Sequence, residues 1–295
     1  MTDSDLPVVL NSDRTVTLTL QDPGSPALVL SGKLLDRLSA ALDKIEQMED
    51  VRGLILTSGC SRVFIAGANL KEIDSLSDSE LESYLARGSH EFARLAKLPY
   101  PTVASIDGAA LGGGLEIAMH CDGLIGLRTE KPYPVGLPEA GLAICPGWGG
   151  TQLLPARINP VDALRQTVSG KPMKFNEAAE TGLFDAIADN KNELVTKTHE
   201  YINNAVNSER VKERIKHAVP CCINRCNRSE TEAVVNELID ELQQTDPGKA
   251  IVKAVLTGIS EGFDAGVAAE RAALIELRNK PEAKKRLEAF FNKGK

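Results

Sequence analysis

The stretch Ala109-Ala110-Leu111-Gly112-Gly113-Gly114-Leu115-Glu116 decides how this chain is read. A short apolar strand, Thr102 to Ile106, comes before it. Leu115, Ile117, Ala118 and Met119 follow in a helical segment. Glycines between a strand and a helix let backbone approach a neighbour with no Cβ in the way. The first helical turn also leaves N–H groups unpaired at the positive end of its dipole. Glu116 sits two residues after the triplet, and Gly136-Leu137-Pro138-Glu139 brings a second carboxylate in another turn-rich segment. One exposed N–H and two acids suit chemistry beside a carbonyl, where charge develops on oxygen and protons must move. A tight turn with close helix–strand packing needs the same glycines, and on spacing alone that structural reading is the commoner one. Glu116 equally complements the helix dipole, and Glu139 equally reads as an ordinary loop acid.

Outward from this stretch, short strands and helices alternate over roughly residues 15–190. Val16, Leu18 and Leu20 alternate with threonines, the period of a half-buried strand. Asp22-Pro23-Gly24-Ser25-Pro26 breaks it. Leu34, Leu35, Leu38, Ala41, Leu42, Ile45 and Met48 recur at helical spacing. Strands are predicted at 53–57, 63–69, 102–106 and 124–127, with a helix after Ser77-Asp78-Ser79-Glu80. This alternation predicts α/β architecture with parallel strands. Beyond residue 190 the strand signals stop. Helices are predicted over 192–220 and 229–244, and Pro247-Gly248 separates them from a last helical part at 249–292. The expected division is a core over 1–195 and a helical domain, small or assembly-forming, over 196–295.

Composition narrows the function classes. A formal net charge of -7 argues against nucleic acid or an anionic membrane as the main partner. No apolar run approaches the roughly 18 residues of a membrane helix. Met1-Thr2-Asp3-Ser4-Asp5 is acidic with no apolar core, so no targeting signal is expected and a cytoplasmic location is. Six cysteines in 295 residues do not suggest a disulfide framework. Cys221-Cys222-Ile223-Asn224-Arg225-Cys226 lacks metal-ligand spacing, so free thiols and no metal are expected.

Other segments add weaker signals. Ile65-Ala66-Gly67-Ala68-Asn69-Leu70-Lys71-Glu72 is a second small-residue turn after a strand, able to offer another N–H. Lys71 suits a phosphate or simply a solvated surface. Pro146-Gly147-Trp148-Gly149-Gly150-Thr151 is a third glycine-rich turn but lacks the GxxxxGK[ST] pattern of a P-loop. His120 is a candidate base, though a packed histidine is the plainer reading. No GxSxG elbow supports a serine hydrolase.

Taken in order, these segments resemble the enoyl-CoA hydratase/isomerase (crotonase) family. The match continues through Ser169-Gly170-Lys171 and Ala178 to Asp185, thins over 192–260 and returns faintly at Ala268-Ala269-Glu270-Arg271. The segment Arg128 to Val135 is similar to the hydratase half of multifunctional fatty-acid oxidation proteins, and no GxGxxG fingerprint accompanies it. The resemblance implies a spiral of ββα units with C-terminal helices that help form trimers, often paired into hexamers. It implies an acyl-CoA thioester substrate and no separate cofactor. Ala68 and Gly113 would supply the oxyanion-hole N–H groups. Glu116 would activate water for attack on C3, and Glu139 would protonate C2. Gly147 would line the water site, with Ala66, Gly67, Asn69, Lys71 and Gly112 near substrate or CoA. Retention of both acids favours hydration of a 2-enoyl-CoA. The alternatives are a Δ3-Δ2 enoyl-CoA isomerase, another crotonase-type reaction, or a non-catalytic binding or scaffold protein.

Overall fold

The protein is described from a computed structural model, which covers residues 5–25, 27–223 and 227–292. Residues 1–4, Pro26, Asn224, Arg225 and Cys226, all quoted above, lie outside the described residues. In chain order the elements begin with β1 (Val8–Leu10), β2 (Thr15–Leu20), α1 (Gly32–Glu46), β3 (Gly53–Ser58), β4 (Val63–Ile65), α2 (Leu70–Ser75) and α3 (Asp78–Lys97). Then come β5 (Thr102–Ile106), β6 (Ala109–Leu111), α4 (Gly113–His120), β7 (Gly123–Leu127), β8 (Pro134–Gly136) and a 3₁₀ turn at Glu139–Leu142. Next are α5 (Gly150–Leu153), α6 (Pro160–Ser169), β9 (Met173–Lys174), α7 (Phe175–Glu180) and β10 (Ala186–Ala188). Helices complete the chain: α8 (Lys191–Ala205), α9 (Glu209–His217), α10 (Arg228–Leu242), α11 (Asp246–Glu261), α12 (Phe263–Arg278) and α13 (Pro281–Asn292).

Two sheets share the strands. The larger has the order β1-β2-β3-β5-β7-β10 and the smaller β4-β6-β8-β9. All pairings are parallel except β1 with β2 and β8 with β9. The pairs β3/β4, β5/β6 and β7/β8 each give one strand to each sheet before the chain turns into helix. The result is the ββα spiral of the crotonase fold. Parallel strands covered on both faces read as continuous apolar runs, and β5 and β7 are buried throughout.

Local chemistry explains the main helices. Ser31 caps α1 by accepting from the Leu34 N–H, and Leu34, Leu35, Leu38, Ala41, Leu42 and Ile45 form its buried stripe. Ser77 and Glu80 make a reciprocal capping box at the start of α3. α8 lies on β5, β7 and β10. Gly53 and Gly123 leave room for its Ile202 and Tyr201, which would meet a Cβ at 2.5 and 2.6 Å.

The helical region departs from the sequence expectation in three places. The 192–220 segment is two helices, because α8 ends at Ala205 and Ser208 caps α9 afresh through the Val211 N–H. Pro247 and Gly248 do not separate helices. They lie in the first turn of α11, where a missing N–H costs nothing, and Thr245 is the cap. The 249–292 segment is three helices rather than one stretch. α11 and α12 pack together, and α12 also contacts α3 and α5, so the C-terminal helices lie against the spiral.

One buried cation ties α9 to the core. Arg214 is fully buried and pairs with the buried Asp122 at 2.8 Å. Its guanidinium also donates to the carbonyls of Ala96, Leu98 and Tyr100 at 2.6, 3.0 and 2.8 Å, closing the end of α3. Among the described residues, no helix is long and apolar enough to cross a membrane.

Candidate active site

The site is assembled where the smaller sheet meets α4. β4 and β6 are parallel neighbours, with Val63 opposite Ala109 and Ile65 opposite Ala110. The turns that leave them, 66–69 and 112–113, therefore emerge side by side. Two glycines set the spacing. A Cβ on Gly67 (φ 112°) would lie 3.2 Å from the Leu111 carbonyl oxygen. A Cβ on Gly114 would lie 2.3 Å from the Ile65 carbonyl oxygen.

Leu30 orients the first turn. Its N–H donates to the Gly67 carbonyl at 2.8 Å, and its carbonyl accepts from the Asn69 N–H at 3.3 Å. Ala68, opposite Leu30 in this bridge, has its own N–H facing away. Gly113 opens α4, so its N–H has no partner within the helix. Gly112, at φ 49°, makes the turn and donates to the Gly136 carbonyl at 2.9 Å. Two backbone donors thus leave adjacent turns, one of them at a helix start.

Glu116, in the first turn of α4, is 1 % exposed. Its Oε1 accepts from the Trp148 and Gly150 N–H groups, both at 2.8 Å. Glu139 heads the 3₁₀ turn after β8, and a Cβ on Gly112 would lie 2.5 Å from its Oε1. Its Oε2 is buried with no hydrogen-bond partner among the described residues. Burial pushes its carboxyl up to about 8, with the charge of Glu270 adding to the effect. Glu116 is also raised well above the usual carboxylate range, first by burial and then by the neighbouring Glu139 and Glu270. Mutually repelling buried acids cannot all be ionised. The hydrogen bonds decide where a proton sits. Glu116 is held by two donors that favour its carboxylate, whereas Glu139 keeps an oxygen without a donor.

The remaining predicted residues are spread around this centre. The Ala66 N–H donates to the Leu28 carbonyl at 2.8 Å. Asn69 caps α2, accepting from the Lys71 N–H, and its amide donates to Glu72 at 3.0 Å. Lys71 is exposed on α2. Gly147 is buried between α3 and α12, where a Cβ would meet Leu274 at 3.0 Å and Leu85 at 3.3 Å. Its neighbours Trp148 and Gly150, not Gly147 itself, touch Glu116. His120 is packed, as its plainer reading held. Nδ1 lies 2.9 Å from the Glu116 carbonyl, Phe92 and Phe263 meet the ring edge-on, and burial lowers its pKa to about 4, keeping it neutral. Cys221 and Cys222 are buried, and no group of three metal-binding side chains is gathered among the described residues.

Two residues of the site had no assigned part in the sequence reading. The Trp148 indole fills the space between α3 and α4. A Cβ on Gly88 would lie 2.3 Å from its Nε1, and one on Gly113 would lie 2.4 Å from the ring. Glu270 of α12 is fully buried and accepts from the Gly149 and Thr151 N–H groups, both at 2.6 Å. A signal for it exists in the sequence. Gly266, Val267, Glu270, Leu274 and Leu277 form the buried stripe of α12, and a lone carboxylate in such a stripe demands a partner.

A family model described as enoyl-CoA hydratase/isomerase matches residues 12–222, which spans the spiral and both acids of the site. The chain belongs to the enoyl-CoA hydratase/isomerase family. Among curated proteins, it is 42% identical to a probable enoyl-CoA hydratase of Bacillus subtilis (strain 168) over 181 residues, 61% of this chain and 68% of that protein. It is 29% identical over 285 residues to the fatty acid oxidation complex subunit alpha of Shewanella amazonensis. That alignment covers 95% of this chain but only 40% of the subunit, so the chain spans about two fifths of it. Among solved structures, the enoyl-CoA hydratase of Bacillus anthracis aligns with a TM-score of 0.63 at 26% identity, covering 98% of this chain and 97% of that one. As an enoyl-CoA hydratase/isomerase family enzyme, the chain takes an acyl-CoA substrate. Its match ends at residue 222, so α10–α13 and Glu270 lie outside the part that defines the family.

Proposed function

We propose that the chain is a 2-enoyl-CoA hydratase. The observation that carries this reading is the pairing of Glu116 and Glu139 at one buried site in different hydrogen-bonding states. The thioester oxygen would accept from the N–H groups of Ala68 and Gly113. Two preorganised donors stabilise the enolate that forms, and losing one typically costs about 10²–10³ in rate. Glu116, held as carboxylate, takes a proton from water while the water oxygen bonds to C3. The π electrons move toward the thioester oxygen. Glu139, protonated at neutral pH, then delivers its proton to C2 as the carbonyl reforms. Water's two fragments and one exchanged proton are thereby accounted for, and no redox step arises. Ala66, Gly67, Asn69, Gly112 and Gly147 form the walls in this proposal, with exposed Lys71 toward the CoA phosphates.

The test follows the loss of the conjugated thioester's absorbance with crotonyl-CoA and longer 2-enoyl-CoAs. No turnover at any chain length would overturn the proposal. Glu116→Gln separates hydration from a double-bond shift. It should lower hydration by about 10²–10⁴-fold, whereas an isomerase that works through Glu139 alone would keep its activity. The likeness to a fatty acid oxidation complex subunit supports a role in fatty-acid degradation, and the trimer-based assembly expected from the family resemblance is read directly by light scattering.

A further inference from the structure

The turn Gly147–Thr151 has a feature that the hydratase reading does not use. Its successive amides alternate between two carboxylates. Trp148 and Gly150 donate to Glu116 at 2.8 Å, while Gly149 and Thr151 donate to Glu270 at 2.6 Å. Gly149 reaches this arrangement at φ 103°, in the left-handed region. Glu116 comes from α4 and Glu270 from α12, so one turn is clamped from opposite sides by elements far apart in sequence. Both carboxylates are buried, and Glu270 has no exposed surface. A fully buried carboxylate is costly unless hydrogen-bonded and matched to its surroundings. Here it is bonded to two amides of the turn that also holds Glu116, and to the Thr151 side chain.

We propose that Glu270 is a positioning residue for the reaction, fixing the 147–151 turn so that the alternate amides hold Glu116 in place. This rests on the hydratase reading for its chemistry but not for its geometry. The groups that face Glu270 are few. Glu116 of α4 and Glu139 of the 3₁₀ turn share negative charge there, while burial and these carboxylates push the Cys145 thiol up and keep it neutral. His120 of α4 lies beside Gly149 and is neutral. Arg271, next along α12, is the nearest opposing cation, and it is engaged with Glu82 and Ser89 of α3. Glu270 therefore acts in two ways: its oxygens order the turn, and its charge opposes ionisation of Glu116 and Glu139.

Two variants separate these effects. Glu270→Gln keeps one acceptor, turns the other oxygen into a donor facing an N–H, and removes the charge. Hydratase kcat should fall about 10- to 100-fold with KM changed less than about threefold. Because a negative neighbour raises both acids, its removal should move both limbs of the pH–rate profile to lower pH. Glu270→Asp keeps the charge but shortens the reach. Its kcat should fall while its pH profile stays in place. Should the Gln variant not fold, the Asp variant carries the test. If the folded variants lose only thermal stability, with kcat and pH profile unchanged, Glu270 is merely structural and the proposal is overturned. If the wild-type protein hydrates no enoyl-CoA, the hydratase reading fails on its own. Glu270 is then tested by infrared titration of the protonated-carboxyl band in ligand-free protein. Glu270→Gln should move the titration of the remaining acids to lower pH, and an unmoved titration overturns the proposal.

Discussion

Gly114→Ala places a single methyl group where the site is assembled. Gly114 is the second residue of α4, and its Cβ would lie 2.3 Å from the Ile65 carbonyl oxygen and 2.9 Å from the Ile65 carbonyl carbon. Ordinary carbon–oxygen contact is roughly 3.3 Å, so α4 and β4 must separate by about 1 Å. The obstacle is backbone and no rotamer change can relieve it. Overpacking of this kind costs about 1–3 kcal/mol, against which the higher helix propensity of alanine returns about 1 kcal/mol. The net loss of stability is therefore modest, about 0–2 kcal/mol. Activity should suffer more. β4 leads directly into the Ala68 turn and α4 starts at Gly113, so the substitution moves the two donors apart. A misplacement of about 1 Å can cost on the order of 10²-fold in rate, equivalent to about 2.7 kcal/mol. The assay compares kcat for hydration of crotonyl-CoA, measured well below the melting temperature, with stability from urea unfolding. Gly32→Ala is the control, since its Cβ would make an ordinary 3.5 Å contact with Glu72. A Gly114→Ala protein with wild-type kcat would refute the argument that these two backbone donors act together.

Glu139→Gln should lower kcat about 10²–10⁴-fold by removing the proton donor. It should also change how stability varies with pH. The Glu139 carboxyl stands at about 8 in the folded protein, above its ordinary 4.5, so the folded state holds the proton more tightly than the unfolded chain. Its contribution is present at acid pH and is lost as pH rises from about 4.5 through 8. The Gln variant should therefore lose less stability than wild type over that window, as read from urea unfolding at several pH values. Arg214→Met should cost about 3–5 kcal/mol, because it strands the buried Asp122 charge and the last carbonyls of α3. Adding Asp122→Asn should restore part of that loss, and a double variant no better than the single one would contradict the pairing.

Features encoded over a few residues were legible in the sequence. The stripe of α1 from Leu34 to Ile45 was read from its spacing, and all six of those residues are buried. The strand–glycine–helix passage through Gly112 stood out because the residues carrying it are contiguous. β8 was not legible as a strand. It has three residues and starts with a proline, so it carries no period, and only pairing with β6 and β9 makes it one. The helix breaks at Val206 and Asn279 escaped the reading because helical spacing persists on both sides of them. Glu270 reaches its partners across 119 and 121 residues, and no local pattern encodes such a contact. The direction of the Ala68 N–H is likewise set by Leu30 on another segment. Resemblance supplied what periodicity lacked, by ordering several weak turns along the chain.

The bond from Arg214 to the end of α3 also bears on the order in which the chain is made and folded. Arg214 lies 114 residues after Tyr100, whose carbonyl it caps. At ~5–20 residues per second, a ribosome needs roughly 6–23 s to travel that distance. During this interval β5 to β10 are still being made, α3 has no cap, and Asp122, once made, lacks Arg214. The nascent spiral must therefore wait, incomplete at its centre, for a helix synthesised after its last strand. Late arrival of one arginine makes this an assembly that closes from its C-terminal side.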